Sequence, residues 1–201
     1  GKVQLPDNRL AEIQKIVSSE KIVPATLDLV DIAGLVKGAS KGEGLGNAFL
    51  SNIREMNALA HVVRCFEDKN ITHVDGEINP VKDAEIINLE LIMADLESVS
   101  KRVLKCEKLL KTNDKKNKEQ YELLIEIKKD LESGSLIDIN KFSSEDKRIV
   151  NQFQLLSAKP IFYIANISED GSSNEQLSKL QKFADESNAT VIPASIKIEQ
   201  E

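Results

Sequence analysis

The alternation of apolar and polar positions gives the chain three successive textures. Lys2 to Leu5 reads as a short strand, broken at Pro6-Asp7. Leu10, Ile13, Ile16 and Val17 then recur at helical spacing and predict a short amphipathic helix. Past Pro24, the run from Ala25 to Val30 reads as a strand, because Thr26 and Val30 favour extended backbone, and it stops at Asp31-Ile-Ala-Gly34. A further helix is predicted from about Asn47, with Phe49, Leu50, Ile53 and Met56 as its apolar positions. Ala60 to Phe66 reads as a second buried strand. Strands alternating with helices in this way predict a parallel α/β sheet.

The texture changes at Asn79-Pro80. From Ala84 to about Leu110 the pattern is one long helix, in which Leu89, Ile92, Leu96, Val99, Val103, Cys106 and Leu110 form a coiled-coil seam. A turn at Thr112-Asn-Asp114 leads into a second helix with Tyr121, Leu124, Ile127 and Leu131 as its stripe, ending at Ser133-Gly-Ser135. The pair predicts an antiparallel αα-hairpin. Ser143-Ser-Glu-Asp146 is a helix start, continued by Ile149, Val150, Phe153 and Leu156. Pro160 restores strand character. Ile161 to Ala165 is an uninterrupted apolar run, as in a strand covered on both faces, and it ends at Asn166-Ile-Ser-Glu169. A helix bearing Leu177, Leu180 and Phe183 follows, then a short strand at Thr190 to Ile192. The expected organisation is an α/β core over 1–83 and 158–201, interrupted by a helical insertion at 84–157.

Composition narrows the picture. With 201 residues, 41% of them apolar, the chain is long enough to bury a core. Aromatic residues are only 4% and tryptophan is absent, so that core is aliphatic. No apolar run approaches a membrane span, and the opening residues lack the apolar stretch of a signal peptide. Cys65 and Cys106 are the only cysteines. They exclude a disulfide framework and a four-thiolate zinc site, and the expectation is a cytoplasmic protein with no disulfide partner. A net charge of -6 argues against a globally basic nucleic-acid binder. The hairpin is the local exception: from Lys101 to Glu132 there are 10 Lys and Arg against 7 Asp and Glu. That face is either a solvated helix surface or a docking surface for RNA or an acidic partner.

Candidate chemistry gathers at strand ends. Asp31 and Gly34 sit where a strand meets a glycine-rich loop, the position at which parallel sheets bind ligands. A carboxylate there can hold Mg²⁺ through water, and a glycine N–H can meet a phosphate; a turn-forming Asp followed by Gly is the plainer alternative. Five of the nine glycines fall between Gly34 and Gly46, which marks a local specialisation. Gly42-Glu-Gly44-Leu-Gly46 is no dinucleotide fingerprint, because its third glycine comes one residue early. Asn166 with Glu169 lies just past another strand end, where Asn can bridge loops and the acid can face a purine edge, or where both belong to a simple Asx-turn. His61 and His73 lack companions at metal-ligand spacing. No Ser/His/Asp or Cys/His constellation is present.

The stretch Val30-Asp-Ile-Ala-Gly-Leu-Val-Lys-Gly-Ala-Ser-Lys-Gly-Glu-Gly-Leu-Gly-Asn47 resembles the signature of the YchF (Obg-like ATPase) family, in the Obg branch of the P-loop GTPases. Asn52-Ile-Arg-Glu55, His61 to Glu67, Asn79-Pro80 and the strand ending in Asn166 are similar too. The resemblance implies an α/β P-loop NTPase (G-domain) core with an inserted coiled-coil hairpin lobe, and an ATPase or GTPase that contacts the ribosome or its RNA. It implies that Asp31 and Gly34 form the DxxG motif, with Asp31 reaching Mg²⁺ through water, and that Leu35 to Gly46 is switch II. Leu35 then stands where many GTPases carry a water-orienting glutamine, so another group must act. Asn166 and Glu169 match the N-K-x-D base reader, with Ile167 in place of Lys and Glu169 in place of Asp, which fits a preference for ATP over GTP. Ala194 and Ser195 match the last nucleotide-contacting loop, loosely because of Ile196.

The family's G-x-x-x-x-G-K-[ST] segment does not occur in these 201 residues, nor does its C-terminal TGS module. The expectation is therefore a core incomplete at its N-terminus, taken from the middle of a longer protein and inactive by itself. The alternative is an interaction module that docks its helical hairpin on RNA or a protein partner.

Overall fold

A computed structural model of the chain describes residues 1–32, 45–67, 78–110 and 114–199. Gly34, Leu35, most of the glycine-rich loop, His73 and the turn at 112–113 lie outside the described residues. The chain divides into two compact units, residues 1–34 and 35–201.

In the first unit, strand β1 (Lys2–Gln4) and strand β2 (Thr26–Asp28) flank helix α1 (Arg9–Val17). The strands pair antiparallel, with Val3 opposite Leu27. The alternation of strands and helices did not announce that pairing. A parallel pair needs a crossover helix packed on the sheet, and α1 buries none of its residues. Ile13, Ile16 and Val17 are all exposed, and so is every apolar residue of the ribbon.

The second unit holds the parallel sheet, in the order β3-β4-β5. Helix α2 (Leu45–Glu55) leads to β3 (Leu59–Arg64). Then come α3 (Pro80–Leu109), α4 (Lys115–Glu132), a short 3-10 turn at Ile139–Lys141 and α5 (Ser144–Gln152). The chain returns through β4 (Ile161–Asn166), α6 (Asn174–Glu186), β5 (Val191–Ala194) and α7 (Ile196–Glu199). β4 is central and parallel to both neighbours. β3 is an edge strand, so it is only half-buried where the sequence suggested full burial: Val63 is enclosed and Val62 is exposed.

The starts of α3, α4 and α5 are capped by side chains. Asn79 accepts the Lys82 N–H at 3.1 Å and Pro80 opens the first turn of α3, so the Asn-Pro pair is a cap followed by a preset φ. Asp114 accepts the Lys116 N–H at 3.0 Å to start α4. Ser143 accepts the Asp146 N–H at 3.1 Å to start α5. Gly134, at φ +79, ends α4 in the left-handed conformation that favours glycine.

Two apolar clusters form the interior. In the hairpin, Ile92, Val99, Val103 and Cys106 of α3 meet Leu124, Ile127 and Leu131 of α4, and Val150 and Phe153 close the far side. The seam departs from its expected start: Leu89 is exposed and Leu91 is buried. In the sheet, Val63, Cys65, Tyr163 and Ala165 pack against Leu180 and Ala184 of α6 and Ala84 of α3. The long helix therefore contributes to both clusters.

Candidate functional site

The carboxyl ends of the three parallel strands lie level with one another. Arg64 of β3 is opposite Asn166 of β4, and Asn166 is opposite Ala194 of β5. Two more backbone bonds extend the ladder just past this line: the Cys65 N–H donates to the Asn166 carbonyl at 2.8 Å, and the Ile167 N–H donates to the Ala194 carbonyl at 3.0 Å. The side-chain oxygen of Asn166 accepts the Ile196 N–H at 3.4 Å. Asn166 thus ties the end of β4 to the turn after β5, where half-buried Ala194 and Ser195 sit. The structure brings together three of the expected residues, Asn166, Ala194 and Ser195.

Glu169 projects from the loop after β4 and is exposed. Groups that the sequence reading passed over hold that loop. The Ser173 hydroxyl, in a buried residue, accepts the Ser168 N–H at 2.9 Å and lies 2.8 Å from the Ser168 hydroxyl. Ser168 also meets Ser172 at 2.8 Å, and the Ser172 N–H donates to Asp170 at 3.0 Å. These bonds, the Ser168 hydroxyl first and then Ser172, hold the Asp170 carboxyl down to about 2. Gly171, at φ +75, makes the reversal. An Asp-Gly pair flanked by serines just past a buried strand is the signal that could have revealed this brace.

Arg64 puts a cation at the same edge. Its Nε donates to the Phe66 carbonyl at 3.0 Å and its guanidinium lies 4.8 Å from the Phe66 ring centre. His61 lies deeper, tilted against Tyr163 with ring centres 5.7 Å apart. Burial pushes its pKa down to about 4 against the pull of Asp83, and its Nδ1 is buried with no hydrogen-bond partner among the described residues. Cys65 is buried and its thiol is pushed up to about 11, which removes it as a nucleophile. Both cysteines are free.

Asp31 belongs to the first unit, three residues past β2, and is exposed. Among the described residues no hydrogen bond or ion pair occupies its carboxylate, and no cluster of His, Cys, Asp or Glu is arranged to hold a metal. Mg²⁺ keeps most of its waters and takes one or two carboxylates alongside substrate phosphates, so a single open carboxylate is compatible with such a site. Among the described residues no helix is long and apolar enough to cross a membrane.

The family described as "50S ribosome-binding GTPase" matches residues 13–94. Along the whole chain, similarity extends to proteins named "Ribosome-binding ATPase YchF". The Bacillus subtilis (strain 168) protein is 47% identical over 205 residues, covering 100% of this chain and 56% of that protein. The Escherichia coli O157:H7 protein is 42% identical over 200 residues, covering 99% and 55%. The structure of the Schizosaccharomyces pombe YchF GTPase superposes with a TM-score of 0.79 at 37% identity, over 98% of this chain and 55% of that one. The chain spans about half the length of the curated relatives it matches. Its α/β architecture is that of the P-loop GTPases, and by homology along its length the chain belongs to the YchF family.

Proposed function

We propose that the intact protein carrying these residues is a cytoplasmic, ribosome-binding NTPase that hydrolyses ATP in preference to GTP. The observation that carries this reading is the match along the whole chain to proteins named ribosome-binding ATPases. The carboxyl edge of the sheet supplies the binding chemistry. Asn166 braces the loops on either side of a base, while Ile167 offers an apolar contact where a lysine stem would otherwise lie. Glu169 accepts the amino group of a purine. A guanine presents a paired N–H set that a shorter Asp receives, and lengthening the acid disturbs that geometry.

Asp31 would hold Mg²⁺ through water, and the ion would neutralise phosphate charge. Gly34, matching the DxxG glycine, would offer its N–H to the terminal phosphate. The Leu35 side chain has no hydrogen-bonding group and would not orient an attacking water, so another group would do that work. In this reading 1–83 with 158–201 forms the nucleotide-binding core and 84–157 is the inserted lobe. Its hairpin makes the ribosome contact, supported by the excess of lysine and arginine between 101 and 132 and by exposed Leu104.

The 201 residues alone are proposed to bind ATP poorly, since they contain no G-x-x-x-x-G-K-[ST] cradle for the phosphates. The test is ATP turnover by the intact protein with and without ribosomes, together with co-sedimentation. Ribosome-dependent pelleting and magnesium-dependent ATP turnover are expected. An intact protein that does neither would overturn the reading.

A further inference from the structure

Helix α6 opens on a broken rule. A serine at a helix start ordinarily adopts extended backbone and accepts a free N–H of the first turn. Ser143 does so for α5, and Asn79 and Asp114 do the same for α3 and α4. Ser173 holds that position before α6, yet its backbone is helical, at φ -83 and ψ -2, and its side chain caps nothing. The hydroxyl turns back instead and accepts the Ser168 N–H at 2.9 Å. Ser173 is only 2% exposed, so this hydroxyl has left water for a contact in the loop before the helix. Such departures from a local rule gather at functional sites.

The loop that Ser173 grips carries two carboxylates side by side. Glu169 and Asp170 are both exposed, but they are not equivalent. Asp170 is drawn back onto the loop: its Oδ1 accepts the Ser172 N–H at 3.0 Å, and the Ser168 hydroxyl supports its charge. The Ser168 hydroxyl lies 2.8 Å from those of Ser172 and Ser173, so a chain of hydroxyls runs from the buried start of α6 to the Asp170 carboxylate. Among the described residues no hydrogen bond or ion pair engages Glu169. Its flanks are both fixed. On one side the Ile167 N–H is held by the Ala194 carbonyl at 3.0 Å. On the other, α6 is rooted in the core by Leu180 and Ala184. The side chain of Glu169 is therefore open while the backbone that carries it is clamped. That is what an exposed glutamate needs in order to read a ligand, because every torsion left free must be ordered on binding.

We propose that Ser173 and Asp170 are positioning residues for purine selection. They hold the backbone from Ser168 to Asp170 so that Glu169 alone meets the base, and they keep the shorter neighbouring carboxylate away from it. The proposal rests on the base-reading role given to Glu169 above. Neither positioning residue touches the nucleotide.

The test is equilibrium binding of ATP and GTP to the intact protein. The variants are Ser173→Ala, Asp170→Asn and Glu169→Ala, with the first two also made in the Glu169→Ala background. The quantity read is the ratio of ATP to GTP affinity, in which effects on the shared phosphates cancel. Ser173→Ala and Asp170→Asn should each lower that ratio about fivefold, as for the loss of one hydrogen bond. In the Glu169→Ala background neither should move it, since the residue they position is gone. Asp170→Asn keeps the side-chain shape at an exposed position, and it decides the matter should Ser173→Ala unfold. A ratio that both variants leave unchanged, even with weaker binding of both nucleotides, makes the brace purely structural and overturns the proposal. An equal fall with and without Glu169 also overturns it. If Glu169→Ala itself leaves the ratio unchanged, the base reading fails and the brace falls with it.

Discussion

Helices α1 and α4 carry the same kind of stripe and meet opposite fates. In α1, Ile13, Ile16 and Val17 recur at helical spacing, yet Ile16 is 81% exposed. In α4, Leu124, Ile127 and Leu131 recur in the same way, and Leu124 and Ile127 are fully enclosed. The period of a stripe specifies a helix and its face. Burial depends on what that face meets. α4 meets the long helix α3, which supplies a matching seam, and Phe153 covers the remaining side. α1 belongs to a unit of 34 residues, too few to enclose a core.

The largest effect should come from breaking the enclosed stripe. Leu124→Ala should lower unfolding stability by about 2–5 kcal/mol, because it removes buried methyl groups and leaves a cavity. Ile16→Ala should stay within about 0.5 kcal/mol, as for an exposed position. Denaturant unfolding of both variants measures the contrast, and equal losses would show that the two stripes are packed alike.

The next effect concerns the sheet cluster and pH. His61 has a folded pKa of about 4, below the ordinary value of 6.5. The unfolded chain therefore takes up a proton that the folded protein refuses. Stability should be fully present above pH 6.5 and fall as pH drops toward 4, by at most about 3 kcal/mol. The cause is burial of the ring, which disfavours its charged form and outweighs the pull of Asp83. Unfolding measured across this range should show the slope, and His61→Phe should flatten it. An unchanged slope in that variant would assign the effect elsewhere.

A smaller effect tests the polar brace. Ser173→Ala removes the acceptor of the Ser168 N–H and should cost about 1–3 kcal/mol locally. Amide exchange over 168–174 should quicken while α4 stays protected. Slower or unchanged exchange there would show that the loop is held by other contacts.

What the sequence made legible follows the same division. The hairpin was readable because its period runs through many turns, and Ser143 marked a helix start, but α3 begins at Pro80, ahead of the expected Ala84, because Asn79 caps it and Pro80 presets its first turn. The exposure of Leu89 was not, since a single seam position depends on where the partner helix ends. β4 and its terminal Asn166 were readable from one apolar run stopped by a polar residue. The serine brace went unseen because its members look like ordinary loop residues until they meet. The contact of Arg54 in α2 with Asp95 in α3, at 3.5 Å, was invisible for another reason: Asp95 joins Ser157, 62 residues away, and Arg54 joins Gln154, 100 residues away. No local pattern records such pairings. The antiparallel ribbon of β1 and β2 was hidden by α1, which sits between the strands without crossing over their sheet.

The most direct test of the central reading is competitive equilibrium binding of ATP and GTP to the intact protein and to its Ile167→Lys/Glu169→Asp double variant. The unmodified protein should favour ATP. The double variant should shift the preference toward GTP by roughly 1–3 kcal/mol, the range for hydrogen bonds to a charged group. A protein that already binds GTP far more tightly than ATP, or a double variant with unchanged preference, would contradict the assignment of Asn166 and Glu169 as the base reader.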